Sequence, residues 1–146
     1  VLLTLQEAHG LNVNLVLWCV WTGAHFGEPD GATLKSAMAI ANEWDAFVVA
    51  PLRAVRRKLK NGVAGIADEA LRDQVKAAEL GAERALQLRL ESFAAALSGA
   101  AGDRQARARR TLAAYARAAR AAETPGFSIS LLEEVIRLTV DSCVEG

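Results

Sequence analysis

Aromatic side chains are scarce, 5% of 146 residues, and proline occurs only three times. Without repeated runs of β-branched and aromatic residues, a β-sandwich or barrel is excluded. There are two cysteines, Cys19 and Cys143, far apart in sequence. A disulfide framework would need more cysteines at tighter spacing, so a reducing, cytoplasmic setting is expected. Long hydrophobic runs are missing as well. The most apolar stretch, Val13 to Trp21, falls far short of the ~20 residues that span a bilayer, and no membrane association is expected. Seventeen basic residues cancel seventeen acidic ones, which argues against a general polyanion binder. Also absent are a Gly-x-Ser-x-Gly elbow, a phosphate-binding loop, a Gly-x-Gly-x-x-Gly fingerprint and a His-Glu-x-x-His pair, so nothing supports an enzyme.

What remains is 52% apolar residues, rich in alanine, which favours helices because alanine loses no side-chain entropy in one. The chain reads as a single all-α domain, residues 1–146, in a bundle of six or seven helices. Residues 1–10 resemble the end of a helix stopped by Gly10, and because the chain opens on Val, its true beginning is expected to lie upstream. Asn14 looks like the N-cap of a helix apolar on every face, stopped by Gly23, with Trp18 and Trp21 side by side. His25–Gly31 is a loop. A helix follows from Thr33, and Pro51 is expected to kink or break it. Leu52, Val55 and Leu59 share one face up to Asn61-Gly62.

The longest periodic run, Asp68 to Leu97, places Leu71, Val75, Ala78, Ala82, Leu86, Leu90 and Phe93 at steps of three or four. Thirty residues make roughly 45 Å of helix, so this helix is expected to cross the whole molecule, bend near Gly81 or protrude into a partner, and a homodimer is a live expectation. Residues 98–102 form a linker. Asp103 caps a helix from Arg104 to Ala122 ended by Thr124-Pro-Gly126, and Ser130 with Glu133 forms a capping box for a last helix reaching about Val144; residues 103–146 are thus a C-terminal helical pair.

The sharpest feature is Pro51-Leu-Arg-Ala-Val-Arg-Arg-Lys-Leu-Lys60. Arg53, Arg56, Arg57 and Lys60 fall on one arc, opposite Leu52, Val55 and Leu59. Such a row binds phosphate oxygens or pairs inside the molecule. If the helices flanking residues 61–67 are antiparallel, Arg53 reaches Asp73 or Glu79, and Glu79 and Glu83 share a face; internal pairing is the expectation. A second basic run, Arg104, Arg107, Arg109, Arg110, Arg117 and Arg120, is expected to be a solvated face, with Ala108, Leu112, Tyr115 and Ala119 inward. Trp18, Trp21, Phe26, Trp44 and Phe47 are expected to be core, with a ligand pocket near Trp21 and Trp44 as the other reading. Neither Glu79/Glu83 nor Cys19/His25/Cys143 has metal-ligand spacing, so no metal and no cofactor are expected. Cys19, mid-helix among apolar residues, is expected to be inert.

Three segments in register carry a resemblance: Asn12–Trp21, Trp44–Lys60 and Gln74–Glu83. Together they resemble a bacterial family catalogued as domain of unknown function 2390, over residues 1–97. The resemblance marks Asn14, Trp21, Trp44, Arg53, Arg57, Lys60, Lys76, Glu79 and Glu83 as family-pattern positions, implies a small soluble protein with an aromatic-containing stretch before Val1, and implies no activity. The leading expectation is a non-enzymatic interaction or adaptor module that binds a protein partner through Arg53, Arg56, Arg57, Lys60, Lys76, Glu79 and Glu83. Nucleic-acid binding through the Arg53–Lys60 and Arg104–Arg120 faces is second, and a small-ligand site or enzyme with Arg53 and Glu79 as its polar groups is third.

Overall fold

The most apolar segment becomes the centre of the molecule. In the computed structural model, which describes residues 1–97 and 100–140, α2 (Val13–His25) is surrounded by α1 (Leu2–His9), α5 (Glu69–Ala94), α6 (Arg104–Ala118) and α7 (Ile129–Val140). Between α2 and α5 runs a single rod of 29 residues, made of α3 (Gly31–Trp44), a π-helical turn (Asp45–Val49) and α4 (Ala50–Leu59). Counted this way the described residues form six helical rods and no strand, as expected. One apolar cluster draws on α1, α2, α3, α5, α6 and α7, from Leu5 through Trp18, Leu90 and Leu112 to Ile136.

Local chemistry sets the ends. Gly10 stops α1 in the left-handed region, and Asp30, Asp68 and Asp103 cap α3, α5 and α6 by accepting backbone amides. The cap of α2 is Asn12, two residues earlier than the composition suggests, accepting from the Asn14 and Leu15 amides. The Tyr115 hydroxyl adds to it by accepting the Asn12 N–H at 2.9 Å. Asn14 is left free to point sideways from the first turn of the helix.

Gly23 does not end α2. It lies inside the helix where α6 crosses: a Cβ there would stand 2.7 Å from Thr111 Oγ1 and 2.9 Å from the Arg107 carbonyl. Arg107, expected at the surface, is buried at this crossing. Its guanidinium donates to the carbonyls of Gly23 (2.9 Å), Ala24 (2.8 Å), Ala101 (2.8 Å) and Gly102 (2.5 Å). The cation thus satisfies carbonyls in the last turn of α2, where the helix dipole favours positive charge.

Pro51 does not break the rod. The π turn precedes it: the Ala50 amide bonds the Asp45 carbonyl, five residues back, and the wider turn takes up the strain a proline ring imposes on a regular helix. The α5 helix covers Glu69–Ala94 rather than extending to Leu97. The α6 helix stops at Ala118 because Arg120 adopts a left-handed φ of 59°. The α7 helix begins at Ile129, and Glu133 pairs with Arg109 instead of completing a capping box. Of the linker, Ser98 and Gly99 lie outside the described residues, as do Cys143 and the expected end of the last helix near Val144.

Candidate functional site

The helices α4 and α5 form an antiparallel hairpin joined by a tight turn in which Gly62 and Gly65 take positive φ. The row after Pro51 meets the acids of α5 here. Arg53 Nε donates to Glu79 Oε1 at 3.0 Å and its Nη2 to Glu83 Oε1 at 3.2 Å. Arg56 Nε donates to Glu79 Oε2 at 2.5 Å. The Glu79 side chain is 8% exposed, against 21% and 24% for Arg53 and Arg56. The Arg56 hydrogen bond holds the Glu79 carboxyl below the usual carboxylate range, with Arg53 adding to it and burial opposing. Arg56 is in turn shifted up by the same bond. Asp73 takes no part in these pairs. Arg57, Lys60 and Lys76 are exposed and have no ion pair among the described residues.

The network forms one wall of a cleft of about 840 Å³. On the rod side it is lined by Asn42, Asp45, Arg53, Arg56 and Arg57, on the α5 side by Glu83 and Gln87, and on the third side by α1 with Asn12, Asn14 and Leu17. The π turn aligns the rod side. Eight regular helical steps would turn Arg53 about 80° from Asp45, whereas absorbing one residue brings them within about 20°. On α5 the sequence continues the series by fours, Glu79, Glu83, Gln87, and Gln87 Nε2 donates to Asn14 Oδ1 at 3.1 Å. The resulting polar ladder runs from Arg56 through Glu79, Arg53 and Glu83 to Gln87 and Asn14.

Past Asn14 the surface turns apolar. A smaller pocket of about 180 Å³ is lined by Leu17, Trp18, Trp21, Leu90 and Glu91, and it shares Asn14, Leu17 and Gln87 with the cleft. The helix expected to be buried on every face therefore has one open stripe. Trp21 on that stripe is 37% exposed and rests on Phe26, ring centres 4.7 Å apart. Trp44 is not beside it. Its indole N–H donates to the Ala82 carbonyl at 2.8 Å, as the buried Trp18 does to Leu90 at 2.8 Å, and Trp44 is not among the residues lining the Trp21 pocket. Phe47, also expected in the core, is 77% exposed.

A family model described as "Protein of unknown function (DUF2390)" matches residues 1–90, well over half of the chain. The chain belongs to the DUF2390 family. No curated protein and no solved structure matches it. The stretch matched by the DUF2390 model contains every residue lining the cleft and ends at Leu90, before α6 and α7.

Other candidates go elsewhere. In the second basic run Arg109 pairs with Glu133, Arg110 with Glu28 and Arg120 with Glu123, and Arg107 is the buried hub above. Cys19 is fully buried, and burial pushes its thiol up, away from the nucleophilic form. No group of three metal-ligating side chains occurs among the described residues, and no described helix is long and apolar enough to cross a membrane. Sequence reasoning missed Asn42, Asp45 and Gln87 as cleft residues. Only Gln87 carried a signal, as the next step after Glu79 and Glu83.

Proposed function

We propose that this DUF2390 protein is a non-enzymatic interaction module that holds a segment of a protein partner in the cleft between α1–α2 and the α3–α4 rod. The observation that carries this reading is the continuity of the cleft with the Trp21 pocket across Asn14 and Gln87. Much of the lining, including Leu3, Glu7, Asn42 and Arg57, is solvent-exposed, which makes a groove rather than the enclosed chamber a small substrate prefers. Its charges balance: Glu7, Asp45 and Glu83 against Arg53, Arg56 and Arg57. Such a lining suits a polar chain with an apolar anchor for the Trp21 end, and primary amides such as Asn14 and Gln87 can bond a passing backbone. A polyanion is less well served, since Arg53, Arg56, Arg109, Arg110 and Arg120 are already paired with carboxylates.

The test is selection of peptides from a random library on the full chain, followed by calorimetric titration of the winners. Support is at least a tenfold weaker Kd for N14A/Q87A, with R117A as an unaffected control. Equal binding by all three proteins sinks the reading. Heparin retention that falls steeply with salt would replace the peptide by a polyanion.

A further inference from the structure

The α4–α5 hairpin supplies carboxylates for the first two arginines of the row after Pro51 and none for the third. Arg53 and Arg56 are held by Glu79 and Glu83. Arg57 lines the same cleft and has no ion pair among the described residues. Lys60 comes seven residues after Arg53 and three after Arg57, and Lys76 comes seven before Glu83 and eleven before Gln87. Both lysines therefore lie on the helix faces that carry those cleft residues. In the antiparallel register set by the Arg56–Glu79 pair, Lys60 stands opposite the turn of α5 that contains Lys76. Three exposed, unpaired cations thus gather at the end of the groove nearest the α4–α5 turn. Of the acids farther out on α5, Asp68 is used as the helix cap and Glu69 lies in the first turn, where the helix dipole favours negative charge. Asp73 alone is left against the three.

The opposite end of the groove is apolar, formed by Leu17, Trp18, Trp21 and Leu90. Lys76 and Leu90 are fourteen residues apart on α5, about 21 Å of helix, which an extended chain spans in about six residues. Given the peptide groove proposed above, on which this rests, we infer that the segment it takes is acidic at one end. One or more Asp or Glu side chains meet Arg57, Lys60 and Lys76, and an apolar side chain about six residues away sits against Trp21. The charge selects the occupant. Arg57 offers a guanidinium fork that matches a carboxylate and finds none within the chain, whereas a basic segment would meet like charge at this end.

The experiment selects random peptides on the full chain, each long enough to span the groove and acetylated and amidated so that its ends carry no charge. Winners are titrated by calorimetry at low and high salt. They are expected to carry Asp or Glu about six residues from Trp, Phe or Leu and to bind more weakly as salt rises. R57E is expected to weaken binding at least tenfold. K58E, the next residue along but outside the cleft lining, is expected to change it less than twofold. Exchanging the peptide acids for Lys should abolish binding to the natural chain and restore it to R57E/K60E/K76E, whose circular dichroism melt should be unchanged because the three cations have no ion pair to lose. Winners without acids, or acidic winners that R57E/K60E/K76E binds equally well, overturn the inference, while N14A/Q87A still decides the groove. Acidic winners indifferent to N14A/Q87A sink the groove reading and this inference with it. Winners that tolerate a halved spacer between acid and anchor overturn the extended arrangement.

Discussion

Glu79 receives hydrogen bonds from two arginines that have few other partners, so neutralising it leaves both guanidiniums partly desolvated and uncompensated. E79Q is expected to lower stability at neutral pH by about 1–3 kcal/mol, a range discounted for the partial exposure of the arginines. The sign of the pH dependence follows from its depressed folded-state pKa. The contribution is fully present above the unfolded carboxyl value of about 4.3 and is lost as pH falls through the lower folded value. Thermal melts of the two proteins should therefore differ most near neutral pH and converge as acidification protonates Glu79. A gap in Tm that persists unchanged into acid would show that Glu79 acts by packing rather than by charge. Two glycines give opposite expectations. G23A forces the crossing of α2 and α6 apart and should cost about 2–4 kcal/mol. G81A meets nothing within 4 Å, sits mid-helix, and should add about 0.5–1 kcal/mol, both read from urea unfolding.

At the scale of elements, the π turn and Pro51 explain each other. Deleting Ala46 removes the extra residue and converts the turn to regular helix, which keeps Asn42 and Asp45 in line with Arg53 but places the Pro51 ring against the carbonyl four residues back. The deletion is expected to cost up to about 3 kcal/mol, and adding P51A should recover most of it. Additive losses in that double-mutant cycle would mean the turn exists for another reason. Helices, the caps Asp68 and Asp103 and the α4–α5 pairing were legible in the sequence because those caps and the apolar spacing act locally, whereas Asp30 read only as part of a turn. The π turn was not, since a proline in a helical pattern gives the same signal for a kink, a break or a bulge. Gly23 and Arg107 misled for one shared reason: their roles arise only where α2 meets α6, and no pattern within either helix records that crossing. The cleft stayed hidden likewise, because Asn14, Asp45 and Gln87 come from three elements.

Over the whole molecule, the match to the family ends at Leu90, yet α2 has its most extensive packing against α6. Ala108, Leu112 and Tyr115 are essentially fully buried there. A fragment of residues 1–97 would leave Val16, Cys19 and Gly23 facing water together with the cap that Tyr115 supplies. It is expected to lose its cooperative thermal transition and to bind the dye ANS, whereas the full chain melts in one step. A fragment that melts as sharply as the full chain would show that the family portion folds without α6.

The three tryptophans also differ in what they sense. Trp18 and Trp44 have their indole N–H groups engaged by α5 carbonyls, while Trp21 stands at the water boundary of the groove. The red edge of the intrinsic fluorescence therefore belongs to Trp21, and a bound segment would announce itself as a blue shift in emission without any label attached.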